Sequence, residues 1–197
     1  LAEWGYTVHR GIAGTGLVGQ LLRGTGTRRL GLRADMDALP IQEENHFAHA
    51  SRHTGVMHAC GHDGHTAILL AAAQHIAESV DFSGTLNLIF QPAEEHPGGA
   101  KIMIDEGLFE RFPCDAVFAL HNMPGIDTGR FVFRPGAAMA SSDNVSITLT
   151  GRGGHGALPH EARDTVVAAA SIVMALQTIV ARNVDPQQAA VVTVGAL

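Results

Sequence analysis

Two short apolar runs, Thr85–Phe90 and Ala116–Leu120, each break off at residues able to carry chemistry. The first runs into Gln91-Pro92-Ala93-Glu94-Glu95 and the second into His121. Compact apolar runs of this length read as strands buried on both faces. The stretches around them read as helices. Thr66–Ala77 is apolar almost all round, which predicts a helix buried on most sides with Asp63 as its N-cap. A further helix is predicted over Gly99–Glu106. Strands alternating with helices at this spacing imply βαβ units and a largely parallel sheet. Upstream, Gly16–Leu22 and Arg29–Asp35 flank the turn formers Gly24-Thr25-Gly26-Thr27 and read as a hairpin. The sequence of 197 residues is 46% apolar and only 16% charged, which excludes disorder and supplies a sizeable core.

Character changes at Ser141-Ser142. From Asn144 to Thr150 apolar and polar residues alternate strictly, the signature of a strand with one wet face. A helix from Asp164 to Val180 and a strand from Ala189 to Val194 follow, and Phe131–Phe133 reads as one more edge strand. The expected organisation is therefore residues 1–141 as the first part of one domain and residues 142–197 as the opening β-α-β of a second. The sequence ends just after that last strand and lacks an initiator Met, so it reads as a fragment. Thr165–Ala181 holds 17 residues without a charge, at the lower edge for a membrane span. A buried amphipathic helix is the reading preferred here.

A net charge of −6, with one Trp and one Tyr, argues against nucleic acid or an anionic membrane as partner. Two cysteines cannot form a disulfide framework, and no basic region with a cleavage site opens the chain. A cytoplasmic setting is the expectation.

Twelve histidines, six of them between His46 and His65, ask for a chemical reason. Histidine is the commonest metal ligand and the usual acid or base near neutral pH. Cys60 and His62 stand two apart, so both side chains face one way in an extended segment, with His58 two residues earlier. A thiolate, imidazoles and carboxylates suit Zn²⁺, with Mn²⁺, Co²⁺ or Ni²⁺ also possible. Glu94-Glu95, set between Pro92 and Pro97, is a stiffened acidic pair. One carboxylate can bind metal while its neighbour takes a proton from a water that the metal polarises. Sites in open α/β sheets form at the carboxyl ends of strands, where Asp35, Asp37, Glu94, Glu95 and His121 all fall. Gly14-Thr15-Gly16-Leu17-Val18-Gly19 fits a dinucleotide fingerprint, but only Gln20–Leu22 separates it from Arg23-Gly24, too little for a phosphate-binding helix.

Arg33–Pro40, Met57–His65, Gln91–Glu95 and Leu120-His121 together closely resemble the amidohydrolase branch of the aminoacylase/carboxypeptidase metallopeptidase family. That branch includes hippurate hydrolases, N-acyl-amino-acid amidohydrolases and plant auxin-conjugate hydrolases. Gly151–Pro159 is similar to the family's lid-domain histidine motif. The resemblance implies an α/β zinc-peptidase-like domain, a mixed sheet flanked by helices that carries two divalent metal ions. It also implies an inserted ferredoxin-like lid through which the protein forms a homodimer. Carried over, Cys60, His62, Glu95 and His121 are metal ligands, Glu94 is the general base, and Asp37 orients the site. His155 matches the lid histidine that reaches a partner subunit's active site. Asp35 stands where related branches carry a metal-binding histidine and is not counted as a ligand. The family's last metal-ligand histidine falls beyond this sequence. The implied reaction is hydrolysis of the amide bond of a small N-acyl amino acid. A dipeptidase, another deacylase of the family and a non-catalytic metal-binding remnant stay open as alternatives.

Overall fold

The strand Gly84–Gln91 organises the first half of the molecule, because its side chains are buried on both faces. In this computed structural model, which describes residues 1–95 and 98–197, the chain divides into two compact units, Leu1–Asp127 and Thr128–Leu197. The first unit is built on a five-stranded mixed sheet. Its strands are β1 (Thr7–Ile12), β2 (Gly16–Arg23), β3 (Arg29–Asp35), β4 (Gly84–Gln91) and β5 (Ala116–Ala119), in spatial order β1-β2-β4-β3-β5. β1 with β2 and β2 with β4 run antiparallel, whereas β3 is parallel to both β4 and β5.

Leu86, Leu88 and Phe90 of β4 point to one face and join Tyr6, Leu21, Ala34, Leu69 and Ala73 in the larger core. Ile89 points to the other and joins Ile12, Val18, Met103, Leu108 and Phe112. Helix α1 (His62–Ser79) covers the first face, and α2 (Gly99–Asp105) with α3 (Leu108–Arg111) supplies the second. Three layers result, with β4 sandwiched in the middle. The continuous apolar run read in the sequence is this double burial.

Three expectations are corrected here. β2 and β3 do not form a hairpin, because β4 lies between them. The glycine-containing turn crosses the start of β4. The Thr85 N–H donates to the Arg28 carbonyl at 2.9 Å, and the Gly26 N–H donates to the Ser83 hydroxyl at 2.8 Å. A Cβ on Gly26 would lie 2.3 Å from the Ser83 carbonyl oxygen, so the glycine permits a crossing rather than a reversal. The true hairpin is β1–β2. Helix α1 buries a single face, His62, His65, Leu69 and Ala73, and leaves Ile68 exposed, because it lies against one side of a sheet. Its N-cap is Gly61 and not Asp63, which occupies the first turn. The fingerprint glycines Gly16 and Gly19 lie within β2 and open no helix.

In the second unit Asp164 caps α4 (Thr165–Thr178), its carboxylate accepting from Val166 N–H at 2.8 Å and Val167 N–H at 3.2 Å. A π-helical turn, Ile179–Asn183, extends it. Thr165, Ala169, Ile172, Val173 and Leu176 form a half-buried stripe, but no residue of α4 is fully buried, so the expected buried helix is only partly covered. Thr165–Asn183 is long and apolar enough to cross a membrane by length and composition, with a mean hydropathy of 1.7. Among the described residues the strands expected at 131–133, 144–150 and 189–194 form no ladder. Alternation sets the faces of a strand, but only a paired neighbour satisfies its backbone.

Leu88 is fully buried in the central strand. Leu88→Ala should lower the unfolding free energy of the first unit by about 3 kcal/mol, read from urea denaturation curves.

Candidate metal centre

Three neighbouring parallel strands empty into one place. β3 ends at Asp35 and hands on to Met36-Asp37, β4 is followed by Glu94-Glu95, and β5 is followed by His121. Cys60 and His62 arrive from the entry of α1. Gly61 makes that entry with φ +89°, and a Cβ there would lie 2.3 Å from the Asn122 side chain. Glycine is therefore required on two counts, backbone and space.

His62 is fully buried. Its Nδ1 lies 3.0 Å from the Asp37 carbonyl oxygen and 3.1 Å from the Asp37 carboxylate. Both are acceptors, so Nδ1 carries the proton and donates. With the proton on Nδ1, Nε2 can offer a lone pair; it is buried and has no hydrogen-bond partner among the described residues. It faces the Asp35 carboxylate at 3.8 Å and the Glu94 carboxylate at 3.9 Å. His121 repeats the pattern. Its Nδ1 donates to the Asn122 carbonyl at 2.6 Å, and its Nε2 lies 3.5 Å from Cys60 Sγ.

The potential donor atoms of Cys60, His62 and His121 lie within 4.8 Å of one another, as do those of His62, Glu94 and Glu95. His62 belongs to both groups. The structure thus brings Cys60, His62, Glu94, Glu95 and His121 together although they span the sequence from 60 to 121, with Asp37 directly behind His62. His58 is outside these groups, and His155 stands in the second unit. Pro97, expected to stiffen the acidic pair, lies outside the described residues.

Electrostatics point the same way. Burial raises the Cys60 thiol above its ordinary pKa, and a hydrogen bond to Glu95 with the charges of Glu95, Glu94 and Asp35 raises it further. A nitrogen lone pair facing carboxylates, beside a thiol whose pKa burial and acids raise, is an arrangement that a divalent cation would satisfy. These donors fit Zn²⁺ or a neighbouring transition metal.

Asp37 is held from several sides. Burial raises its pKa, but backbone N–H groups of Glu95, Glu94 and Asp37 itself, with His62, outweigh it and bring the value below the ordinary 3.8. The Glu95 N–H donates to Asp37 Oδ2 at 3.1 Å. One carboxylate thereby ties the acidic pair to the buried imidazole.

A buried network that the sequence only partly signals supports the centre. Asp35 accepts from Arg33 at 2.8 Å and lies 2.6 Å from His65 Nδ1. His65 Nε2 meets Asn122, 3.0 Å from its backbone N–H and 2.8 Å from its side chain. The oxygens of Asp35 are committed to these partners. His65 carried a signal, its i+3 spacing from His62 on one helix face. Asn122 carried none, because its role is set by the fold around Gly61.

The profile of Peptidase family M20/M25/M40 matches residues 31–193, and the chain belongs to that family. Among relatives, it is 55% identical to the hippurate hydrolase of Campylobacter jejuni over 196 residues, covering all of this chain and 51% of the relative. It is 43% identical to the N-acetyl-L-cysteine deacetylase of Bacillus subtilis over 99% of this chain and 47% of that one. Among solved structures, one from methicillin-resistant Staphylococcus aureus, assigned to the aminohydrolases, matches 99% of this chain and 53% of its own with a TM-score of 0.73 at 38% identity. The YXEP protein of Bacillus subtilis, described as a dinuclear metal binding peptidase, matches with a TM-score of 0.58 at 35% identity, covering 64% of this chain and 35% of that one. The chain spans about half the length of the curated relatives it matches.

Because the pKa of Asp37 is depressed in the fold, its carboxylate contributes stability above the ordinary value of 3.8 that is lost as pH falls through the folded value. In metal-free protein the stability difference between wild type and Asp37→Asn should be present near neutral pH. It should shrink progressively as the pH falls below the ordinary carboxylate value of 3.8, as followed by urea unfolding.

Proposed function

We propose that this chain carries the metal-binding half of an amidohydrolase that cleaves the amide bond of N-acyl amino acids. The observation that carries the reading is the buried Nε2 of His62, without a hydrogen-bond partner among the described residues, at the junction of the thiol–imidazole and carboxylate groups. Cys60, His62, Glu95 and His121 would hold two divalent ions, Mn²⁺, Zn²⁺, Co²⁺ or Ni²⁺. When bound, such ions polarise the scissile carbonyl and acidify the attacking water. Asp37 keeps the proton of His62 on Nδ1 and so keeps Nε2 free for metal.

Glu94 is the general base. Its side chain is 42% exposed while the imidazole beside it is buried, so it can reach both the attacking water and the substrate. It takes the proton of the water as the oxygen attacks the carbonyl carbon, then delivers it to the departing amine. His155 accepts from the Ala157 N–H through Nδ1 at 3.1 Å, which leaves its Nε2–H as a donor. Supplied by the lid of a second subunit, that N–H would stabilise the oxyanion, a contribution on the order of 3 kcal/mol for one donor. Residues 142–197 are read as part of this lid and α4 as one of its sheet-covering helices, its half-buried stripe supporting packing rather than membrane insertion. The protein would then be a cytoplasmic homodimer.

The substrate class is supported by the names of the relatives, a hippurate hydrolase and an N-acetyl-L-cysteine deacetylase, both of which act on acylated amino acids. A panel of N-benzoyl, N-acetyl and dipeptide substrates, assayed on the metal-loaded full-length protein, separates amidohydrolase, deacylase and dipeptidase. Loaded protein inert to all of them would favour a non-catalytic remnant. Glu94→Gln should lower kcat by about 10²–10⁴-fold with metal content retained. Cys60→Ser should lower metal stoichiometry by elemental analysis. Loss of metal in the Glu94 variant, or full metal in the Cys60 variant, would overturn these roles.

A further inference from the structure

An apolar cavity of about 480 Å³ opens beside the acidic pair. Its walls come from three separate segments: Ala13 of the β1–β2 turn, Met36, Leu39 and Pro40 after β3, and Pro92 and Ala93 after β4. At one end it is bounded by Asp37 and Glu95, the latter also within the His62–Glu94–Glu95 group. The cavity is thus continuous with the candidate metal centre through shared side chains.

Each wall is fixed by the backbone. The Met36 N–H donates to the Gln91 carbonyl at 2.9 Å, and Leu39 exchanges two hydrogen bonds with Met57, at 2.9 and 3.0 Å. The Ala13 N–H donates to the Glu106 carboxylate at 2.7 Å, and the Gly99 N–H donates to the Ala93 carbonyl at 2.7 Å. Among the described residues, the non-glycine positions with positive φ are Ala13 at 49° and Ala93 at 51°, and both line this cavity. Backbone strain of that kind persists only where surroundings over-determine it, and it concentrates at ligand sites. A pocket held open this way loses little entropy when filled.

We infer that this cavity is the subsite for the acyl group of the substrate, taking a bulky apolar acyl chain. The inference rests on the amidohydrolase reading above. An N-acyl amino acid has two ends, and charge decides between them. Among the described residues no lysine, arginine or histidine lines the cavity, so a free carboxylate entering its apolar walls would lose hydration without gaining a counter-charge there. The neutral acyl chain meets no such cost and gains from leaving water. A second cavity of this unit has Arg52, His49, His53 and His58 along with Glu43 and Asp63 among its lining residues, a more polar surface less suited to an apolar acyl chain. Leu39, half-buried in the wall, and Thr15, exposed at the rim, are then specificity-determining positions.

Hydrolysis of the N-benzoyl and N-acetyl derivatives of one amino acid by full-length, metal-loaded protein tests this. Leu39→Trp and Thr15→Phe narrow the cavity from the wall and from the rim. Each should lower the ratio of kcat/KM for the benzoyl over the acetyl substrate by about tenfold or more. Changing the amino acid at fixed acyl group should leave the effect of either variant unchanged. The rim position keeps the test sound if the tryptophan variant fails to fold. A ratio within threefold of wild type in the folded variants, or discrimination that follows the amino acid, overturns the acyl assignment and leaves the amidohydrolase reading standing. A wild-type enzyme that turns over neither substrate overturns both.

Discussion

The pair of hydrogen bonds from His62 Nδ1–H to the carbonyl and carboxylate of Asp37 is the contact on which the centre depends. A neutral imidazole has one donor and one acceptor, so fixing the donor fixes the acceptor. Without Asp37 the ring could place its proton on Nε2 and donate to the Glu94 or Asp35 carboxylate, and the lone pair would turn away from Cys60 and His121. The same carboxylate receives the Glu95 N–H, so the tautomer of His62 and the placement of the acidic pair are one structural decision. The His121 ring is fixed by the same device, using the Asn122 carbonyl in place of a carboxylate.

That contact is available only because β4 inserts between β2 and β3. Asp37 follows β3 and Glu95 follows β4, and the two strands are parallel neighbours with Asp35 opposite Gln91. Had β2 and β3 formed the expected hairpin, β4 would have been displaced by a strand and the Glu95 N–H carried out of reach. Ser83 and Arg28, which hold the crossing turn over the start of β4, therefore act on the centre from the opposite end of the sheet.

Much of this was legible in sequence because it is local. The runs Thr85–Phe90 and Ala116–Leu120 declare strands, their polar endings declare a shared edge, and Cys60, His62, Glu94, Glu95 and His121 declare metal-binding chemistry. What was illegible depends on which elements are neighbours. Turn residues at 24–27 signal a change of direction but not whether another strand passes between. The apolar composition of 66–77 signals a helix but not that only the His62–Ala73 stripe meets the sheet. Asn122 looks like an ordinary loop residue until Gly61 is seen packed against it. In the second unit the alternation at 144–150 marks which side chains share a face, but pairing is a property of two segments and one of them cannot reveal it.

The concentration of acid at the strand ends gives the last link from fold to chemistry. Asp35, Asp37, Glu94 and Glu95 converge with a thiol whose pKa burial and these carboxylates raise. Asp35 is neutralised locally by Arg33 at 2.8 Å. Among the described residues Glu94 and Glu95 have no comparable ion pair beyond the buried His62, whose Nδ1 is already committed. Charges of one sign gathered in a partly dry site raise its energy until counter-charge is supplied. The fold accepts that cost because each strand end is pinned elsewhere, by β4 pairing, by the Asp37 bridge and by the Asp35–His65–Asn122 network. A divalent ion would then meet ligands already in place, and binding free energy would go into relieving repulsion rather than into ordering the chain.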